Sequence, residues 1–191
     1  MNDKERNLIL RAQNGDHFAF EQLVSNYDRQ VLKLAYSMVG NVDDAQDVYQ
    51  EALISAYRSL PKFKMKSNFF TWLYRIAVNK AINFRRQKMR HPLESITFEN
   101  SDSLGYEQSF RTTPNENPEA SVVNSELKEI IEEALANISS RERMAFVLCH
   151  QQGYKLKEAS KLMECSIGAV KSYLFRAREK LKLKLKQYME L

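Results

Sequence analysis

Glycine and proline are scarce in this chain, five and four among 191 residues. Tight turns depend on those residues, so a sheet with many hairpins is disfavoured and long helices are favoured. Cysteine is scarce as well. Cys149 and Cys165 do not make a disulfide framework, which fits a reducing cytoplasm. No run of about 18 apolar residues occurs, so no segment reads as a membrane span. The opening residues MNDKER lead into a short amphipathic stretch and not a signal-peptide core. One sign of charge is missing locally. Between Glu51 and Glu94 there is no acidic side chain at all.

That gap holds ten basic residues: Arg58, Lys62, Lys64, Lys66, Arg75, Lys80, Arg85, Arg86, Lys88 and Arg90. Six aromatics are interleaved: Phe63, Phe69, Phe70, Trp72, Tyr74 and Phe84. Positive charge attracts a phosphate backbone and flat rings stack on exposed bases, a pairing suited to single-stranded or melting nucleic acid. The plainer alternative is a solvated basic helix face over ordinary core aromatics.

The net charge of +5 is unevenly spread. Residues 1–90 carry +6, residues 91–126 carry −6, and residues 127–191 carry +5. The acidic block is also where helical periodicity stops. From His91 to Asn124 it holds Pro92, Pro114, Pro118 and Gly105 among many Ser, Thr and Asn. A stretch of about 30 such residues is too long for a loop within one small domain. The expected fold is therefore all-α, with two small helical domains, 1–90 and 125–191, joined by a flexible acidic linker over 91–124.

In the first domain, periodicity predicts helices near 5–14, 17–39, 43–60 and 68–89, with Asp16 and Asp43 as N-caps. Within 43–60, Ala45, Val48, Ala52, Leu53, Ala56, Tyr57 and Leu60 form an apolar stripe, and Pro61 stops the helix. In the second domain, helices are expected near 124–136, 140–151, 155–163 and 167–187. Ser139 and Glu142 have capping-box spacing. The Lys–Leu alternation from Lys180 to Lys186 would suit a strand, but no partner strand is evident, so it reads as a helical extension.

On a helical wheel Arg75, Asn79, Asn83, Arg86 and Arg90 share one arc, with Trp72 at its N-terminal end. Arginines bind phosphates, asparagines read base edges, and a tryptophan stacks on a base. Two mid-helix asparagines disfavour the helix they sit in, which argues for a role outside it. Tyr74 and Phe84 belong to the opposite, core-facing side. The short polar loop 64–68, with Lys64, Ser67 and Asn68, lies between Phe63 and Phe69 and could hold an extruded base, or be a plain helix connection.

Residues 155–178 read as a helix-turn-helix. Ser160 takes the close-crossing position and Val170 an apolar position ten residues later. Ala159, Met163, Cys165 and Ile167 supply apolar contacts, and Glu164 occupies the turn position that often holds glycine. A second helix in the major groove would expose Lys171, Ser172, Phe175, Arg176 and Arg178, with its N-terminus near Gly168 facing a phosphate. Cys149, His150 and Cys165 lack metal-site spacing and a fourth ligand. No nucleophile–base set, phosphate loop or paired catalytic carboxylates stand out, so neither an enzyme activity nor a cofactor is expected.

These segments resemble bacterial sigma factors of the extracytoplasmic-function type. DDAQDVYQEALISAYRSL (43–60) is similar to region 2.2, FKMKSNFFTWLYRIAVNKAINFRR (63–86) to regions 2.3 and 2.4, and GYKLKEASKLMECSIGAVKSYLFRAREKL (153–181) to region 4.2. The resemblance implies a promoter-specificity subunit that binds core RNA polymerase, recognises a bipartite promoter and helps melt it. Asp44, Asp47, Gln50 and Glu51 would meet the polymerase clamp helices, and region 4 the flap. Lys64, Ser67, Asn68, Trp72, Arg75, Asn79, Asn83 and Arg86 would engage the minus-ten element, as duplex and as non-template single strand. Gly168, Lys171, Ser172, Phe175, Arg176 and Arg178 would engage the minus-thirty-five element. The acidic linker would thread a basic polymerase channel near the RNA exit path. A monomer is expected, held inactive by an anti-sigma factor.

The sequence departs from the family in places. The 64–68 loop lacks the frequent glycine, and Asn83 stands where Asp is common. Ser166, Lys171 and Tyr173 replace a frequent Pro, Arg and Arg, and Lys cannot make the bidentate guanine contact of Arg. A polymerase-independent helix-turn-helix regulator is the alternative, but it leaves the 58–90 stretch idle.

Overall fold

The structure is a computed structural model that describes residues 3–90, 131 and 134–189. Every regular element among them is helical and the chain is all-α, as its glycine-poor, 3.6-period sequence implies. The chain divides into two units after Phe84, inside the fifth helix. The acidic segment 91–124 lies outside the described residues, as does most of the helix expected near 124–136. Its described residues, 131 and 134–136, are helical.

The first unit comprises α1 (Asp3–Gln13), α2 (His17–Ser25), α3 (Asp28–Val39), α4 (Val42–Ser59) and α5, which runs Phe69–Arg90 across the division. Asp16 caps α2 as expected, its Oδ1 accepting from the Ala19 amide at 3.0 Å. The single helix expected over 17–39 is instead two. Tyr27 leaves helical geometry at φ −124°, ψ −2°. There its hydroxyl donates to Glu5 at 3.1 Å, and its ring lies 5.2 Å from that of Phe70. The side chains of Ser25 and Asn26 also turn back onto the Gln22 carbonyl, competing with the backbone ladder. Past the break, Asp28 accepts a 2.6 Å bond from the Tyr49 hydroxyl.

The cap of α4 is Asn41, not Asp43. Gly40 ends α3 in the left-handed conformation at φ +85°, so Asn41 is the first extended residue and its Oδ1 accepts from the Asp44 amide at 2.8 Å. The buried row of α4 is Ala45, Val48, Ala52, Ala56 and the following Leu60, while Leu53 and Tyr57 are half-buried. Three alanines in that row leave room for α3 to approach with Val31, Leu34, Ala35 and Met38. Pro61 falls in a single 3-10 turn, Leu60–Lys62, that ends α4. Gln13 pins the exit of this turn by donating to the carbonyls of Leu60 and Phe63 at 3.0 and 2.9 Å. From α5 the core receives Phe69, Leu73, Tyr74, Ala77, Val78, Ala81 and Ile82. Phe84, expected in the core beside Tyr74, is only half-buried.

The second unit holds α6 (Ser140–Phe146), which runs into a π-helical turn (Val147–Gln151), then α7 (Leu156–Leu162) and α8 (Ile167–Met189). The capping box of α6 forms as expected between Ser139 and Glu142. Leu135, Ile138, Met144, Val147, Leu148, Ala159, Val170 and Ala177 are fully enclosed. Ser160 is buried and satisfies its hydroxyl on the Lys157 carbonyl at 2.9 Å. Ile167, expected among the contacts of the turn, is exposed on the first turn of α8. Glu164 takes φ +50°, the conformation for which glycine is preferred at this point of the turn. The Lys–Leu tail is helical, with Leu181 facing the core and Leu183 outside.

Candidate nucleic-acid interface

In the first unit, α5 carries the basic stripe outward in a gradient. Arg75 and Asn79 are half-buried, while Asn83, Arg86 and Arg90 are exposed. Immediately before α5 runs the 64–68 loop. Lys64, Lys66 and Asn68 are exposed, and Ser67 is half-buried. Met65 adopts φ +53° without glycine's freedom. Asn68 has a local duty, since its Oδ1 accepts from the Thr71 amide at 2.8 Å and caps α5.

Behind this loop stand three rings. Trp72 lies 4.7 Å from Phe63 and 5.5 Å from Phe69, centroid to centroid. Phe63 and Phe69 are buried, whereas Trp72 keeps part of its surface in solvent. The tryptophan is therefore both a packing residue and a half-open platform. A ring with part of its surface in solvent can stack on a planar partner, and the loop before its helix carries two exposed lysines.

On α4, Asp47, Gln50 and Glu51 are exposed on one face. Asp44 is half-buried, and its carboxylate accepts a 2.6 Å bond from Asn41 within the cap. Glu51 faces Lys80 of α5 at 3.4 Å, a solvent-exposed pair that contributes little. The same face carries Ile54, 51 % exposed, outside the apolar stripe that periodicity predicts. Its signal was its spacing, three residues after Glu51 and seven after Asp47, a lone apolar side chain on a polar helix face. Beside it opens a groove of about 440 Å³ whose lining includes Phe20, Leu53 and Tyr57.

In the second unit, Gly168, Lys171, Ser172, Phe175, Arg176 and Arg178 are all exposed on α8, Phe175 by 65 %. Ser166 caps the helix, its Oγ accepting from the Ala169 amide at 3.1 Å. Two of the arginines are tied back to the domain. Arg176 Nε donates to Glu142 Oε1 at 2.8 Å, and Lys180 Nζ donates to Glu142 Oε2 at 2.9 Å. Burial by itself pushes the Glu142 carboxyl up. Hydrogen bonds from Lys180, the Ser139 backbone and Arg176 outweigh burial and hold its pKa down to about 2.

Arg178 makes a different attachment. Its Nε and Nη2 lie 3.1 and 2.9 Å from His150 Nε2. Arginine only donates, so Nε2 accepts and the imidazole is neutral with its proton on Nδ1. Burial, and then the charge of Arg178, push the His150 pKa below its ordinary value. The π-helical turn carries both His150 and Cys149 into a groove of about 550 Å³ that Phe175 and Arg178 also line. Burial raises the pKa of Cys149 and of Cys165, which keeps them thiols near neutrality. Among the described residues, no group of three or more His, Cys, Asp or Glu is placed to hold a metal ion. Nor is any helix among them long and apolar enough to cross a membrane.

The chain matches two family models, Sigma-70 region 2 over residues 23–91 and Sigma-70 region 4 over residues 128–181. It is 37 % identical to the ECF RNA polymerase sigma-E factor of Haemophilus influenzae, over 95 % of each chain. It is 38 % identical to the protein of the same name from Escherichia coli, over 90 % of this chain and 89 % of the relative. Against the RNA polymerase sigma-H factor of Pseudomonas aeruginosa, identity is 34 % over 93 % and 91 %. Among solved structures, the sigma factor RpoE of Bartonella quintana, in complex with the anti-sigma factor NepR, superposes with a TM-score of 0.59 at 25 % identity. That match covers 87 % of this chain and 96 % of RpoE. Two matched regions in chain order, relatives spanning nearly the full length, and a helix-turn-helix following an aromatic-backed basic helix all agree: the chain belongs to the ECF family of RNA polymerase sigma factors.

Proposed function

We propose that this protein directs bacterial core RNA polymerase to a bipartite promoter and assists its opening, without catalysing a reaction of its own. The observation that carries this reading is the half-open Trp72 beside the cationic 64–68 loop, on the helix whose exposed stripe holds Asn83, Arg86 and Arg90. A regulator that only bound duplex DNA would have no use for that platform.

Lys64, Ser67, Asn68 and Trp72 receive a base of the non-template strand, and Arg75, Asn79, Asn83 and Arg86 follow that strand and the adjoining duplex. Asp44, Asp47, Gln50 and Glu51 meet the clamp helices of core polymerase. Ile54 supplies the apolar contact that their face otherwise lacks. Gly168, Lys171, Ser172, Phe175, Arg176 and Arg178 address the upstream duplex, while the second unit also meets the polymerase flap. Residues 1–90 and 125–191 act as two modules on an acidic tether, so engagement of one raises the effective concentration of the other. The free protein is a cytoplasmic monomer, and an anti-sigma factor binds it and holds it inactive; the similar sigma factor RpoE is in complex with the anti-sigma factor NepR.

Transcription reconstituted with core polymerase on a library of genomic DNA tests this reading. The expected result is initiation at a small set of shared sites, and Asn79→Ala lowers open-complex formation more than core binding. No association with core polymerase, or no site-directed initiation, would refute it.

A further inference from the structure

On the sequence alone Arg176 is an ordinary groove-facing cation. Its surroundings give it a narrower task. Glu142 is 5 % exposed, yet it lies at the third position of α6, where the capping box fixes it: its Oε2 accepts from the Ser139 amide at 3.1 Å. Oε2 also takes Lys180 and Oε1 takes Arg176 Nε, so both carboxylate oxygens are engaged. The Arg176 guanidinium also lies over the Tyr173 ring, 5.3 Å from Cζ to the centroid. The side chain nevertheless stays half-exposed. With Nε engaged and one face covered, the groups left to meet an outside partner are the two terminal amino groups, side by side. That end-on pair fits two adjacent acceptors on a base edge, such as guanine O6 and N7.

We propose that Glu142 is a positioning residue that holds Arg176 for end-on reading of one base pair in the upstream duplex. The inference rests on the promoter-binding reading above and deepens it. Two physical consequences distinguish a held arginine from a loose one. Its rotamers are already restricted before DNA arrives, so a correct base pair gains more than a wrong one. The neighbouring carboxylate also offsets part of its charge, so Arg176 adds little to the general attraction for phosphate.

The test uses the full chain bound to core polymerase and duplexes selected by the wild-type complex from a randomised pool. Affinities are measured for the selected duplex and for each single base-pair variant of it. Arg176→Ala and Glu142→Gln should each flatten the preference at the same base pair, by about tenfold or more, while the salt dependence on scrambled duplex changes little. The double variant should be no worse than Arg176→Ala. An equal loss on every duplex after Glu142→Gln, or a further loss of preference in the Arg176→Ala background, would overturn the proposal. In the wild-type free protein the Arg176 Nε–H signal in an NMR spectrum should be resolved, slow to exchange and motionally restricted. A signal averaged with those of the other exposed arginines would overturn the proposal even if Glu142→Gln did not fold. Failure of the wild-type complex to select any sequence would remove the promoter-binding reading itself, a result distinct from a sequence preference that ignores Glu142.

Discussion

The two units present basic helices in opposite ways. In the first, α5 backs its exposed stripe with aromatic packing: Trp72 stands on Phe63 and Phe69, and Tyr27 closes against Phe69 and Phe70. In the second, α8 is anchored by polar locks: Arg176 and Lys180 to the buried Glu142, and Arg178 to His150. An aromatic wall is tolerant of what stacks on it, because every base has a flat face. A held guanidinium is selective, because its donors already have a direction. The difference matches the roles proposed above, an unpaired base at the first unit and a paired one at the second.

The largest expected effect comes from breaking the aromatic wall. Phe69 is fully enclosed, so Phe69→Ala should destabilise the first unit by about 3–5 kcal/mol in thermal or denaturant unfolding, leaving the helices of the second unit intact. Acid should break the other side of the comparison. Glu142 has its pKa depressed in the folded state, so its stabilisation is complete above about 4.5 and is lost as the pH falls toward 2. Over that window the second unit should lose roughly 3 kcal/mol through this group, and Glu142→Gln should remove most of that pH dependence from its unfolding curve.

Smaller changes sharpen the contrast. Trp72→Ala removes a half-exposed ring, so it should cost the fold only about 1–2 kcal/mol, well below Phe69→Ala. It should nevertheless lower promoter opening about tenfold or more, measured by permanganate reactivity of the melted strand. If opening were unaffected, Trp72 would be a packing residue only. The smallest effects concern the two non-glycine residues in left-handed geometry, Met65 in the loop and Glu164 in the helix-turn-helix. Each substituted by glycine should stabilise its unit by about 0.5–1 kcal/mol, since relief of the strained backbone outweighs the added freedom of the unfolded chain. Gains of similar size at both sites would mean the two turns store similar strain in spite of their different surroundings.

Local pattern carried much of the fold. The Asp16 cap, the Ser139–Glu142 capping box, the Pro61 stop and the alanine-rich row of α4 all follow from short-range chemistry that the structure bears out. The break at Asn26–Tyr27 follows only in part: Ser25 and Asn26 compete locally for the Gln22 carbonyl, but Tyr27 is held by Glu5 and Phe70, far away along the chain. The Asn41 cap does not follow from the apolar pattern, because Gly40 decides where α3 ends. Ile54 is invisible to helical periodicity because a lone apolar residue on a polar face belongs to no repeating stripe.

By itself the sequence determined the helical class, the basic and acidic blocks, the order of the two modules and the family to which they belong. These depend on composition and on spacings of three and four residues, which a chain carries before it folds. Tertiary structure decided which of the basic side chains are held and by what. Glu142 and Arg176 are 34 residues apart, and His150 and Arg178 are 28 apart. No local rule joins them. Only the packing of α8 against α6 and its π-helical turn brings a buried carboxylate and a neutral imidazole to the arginines they orient.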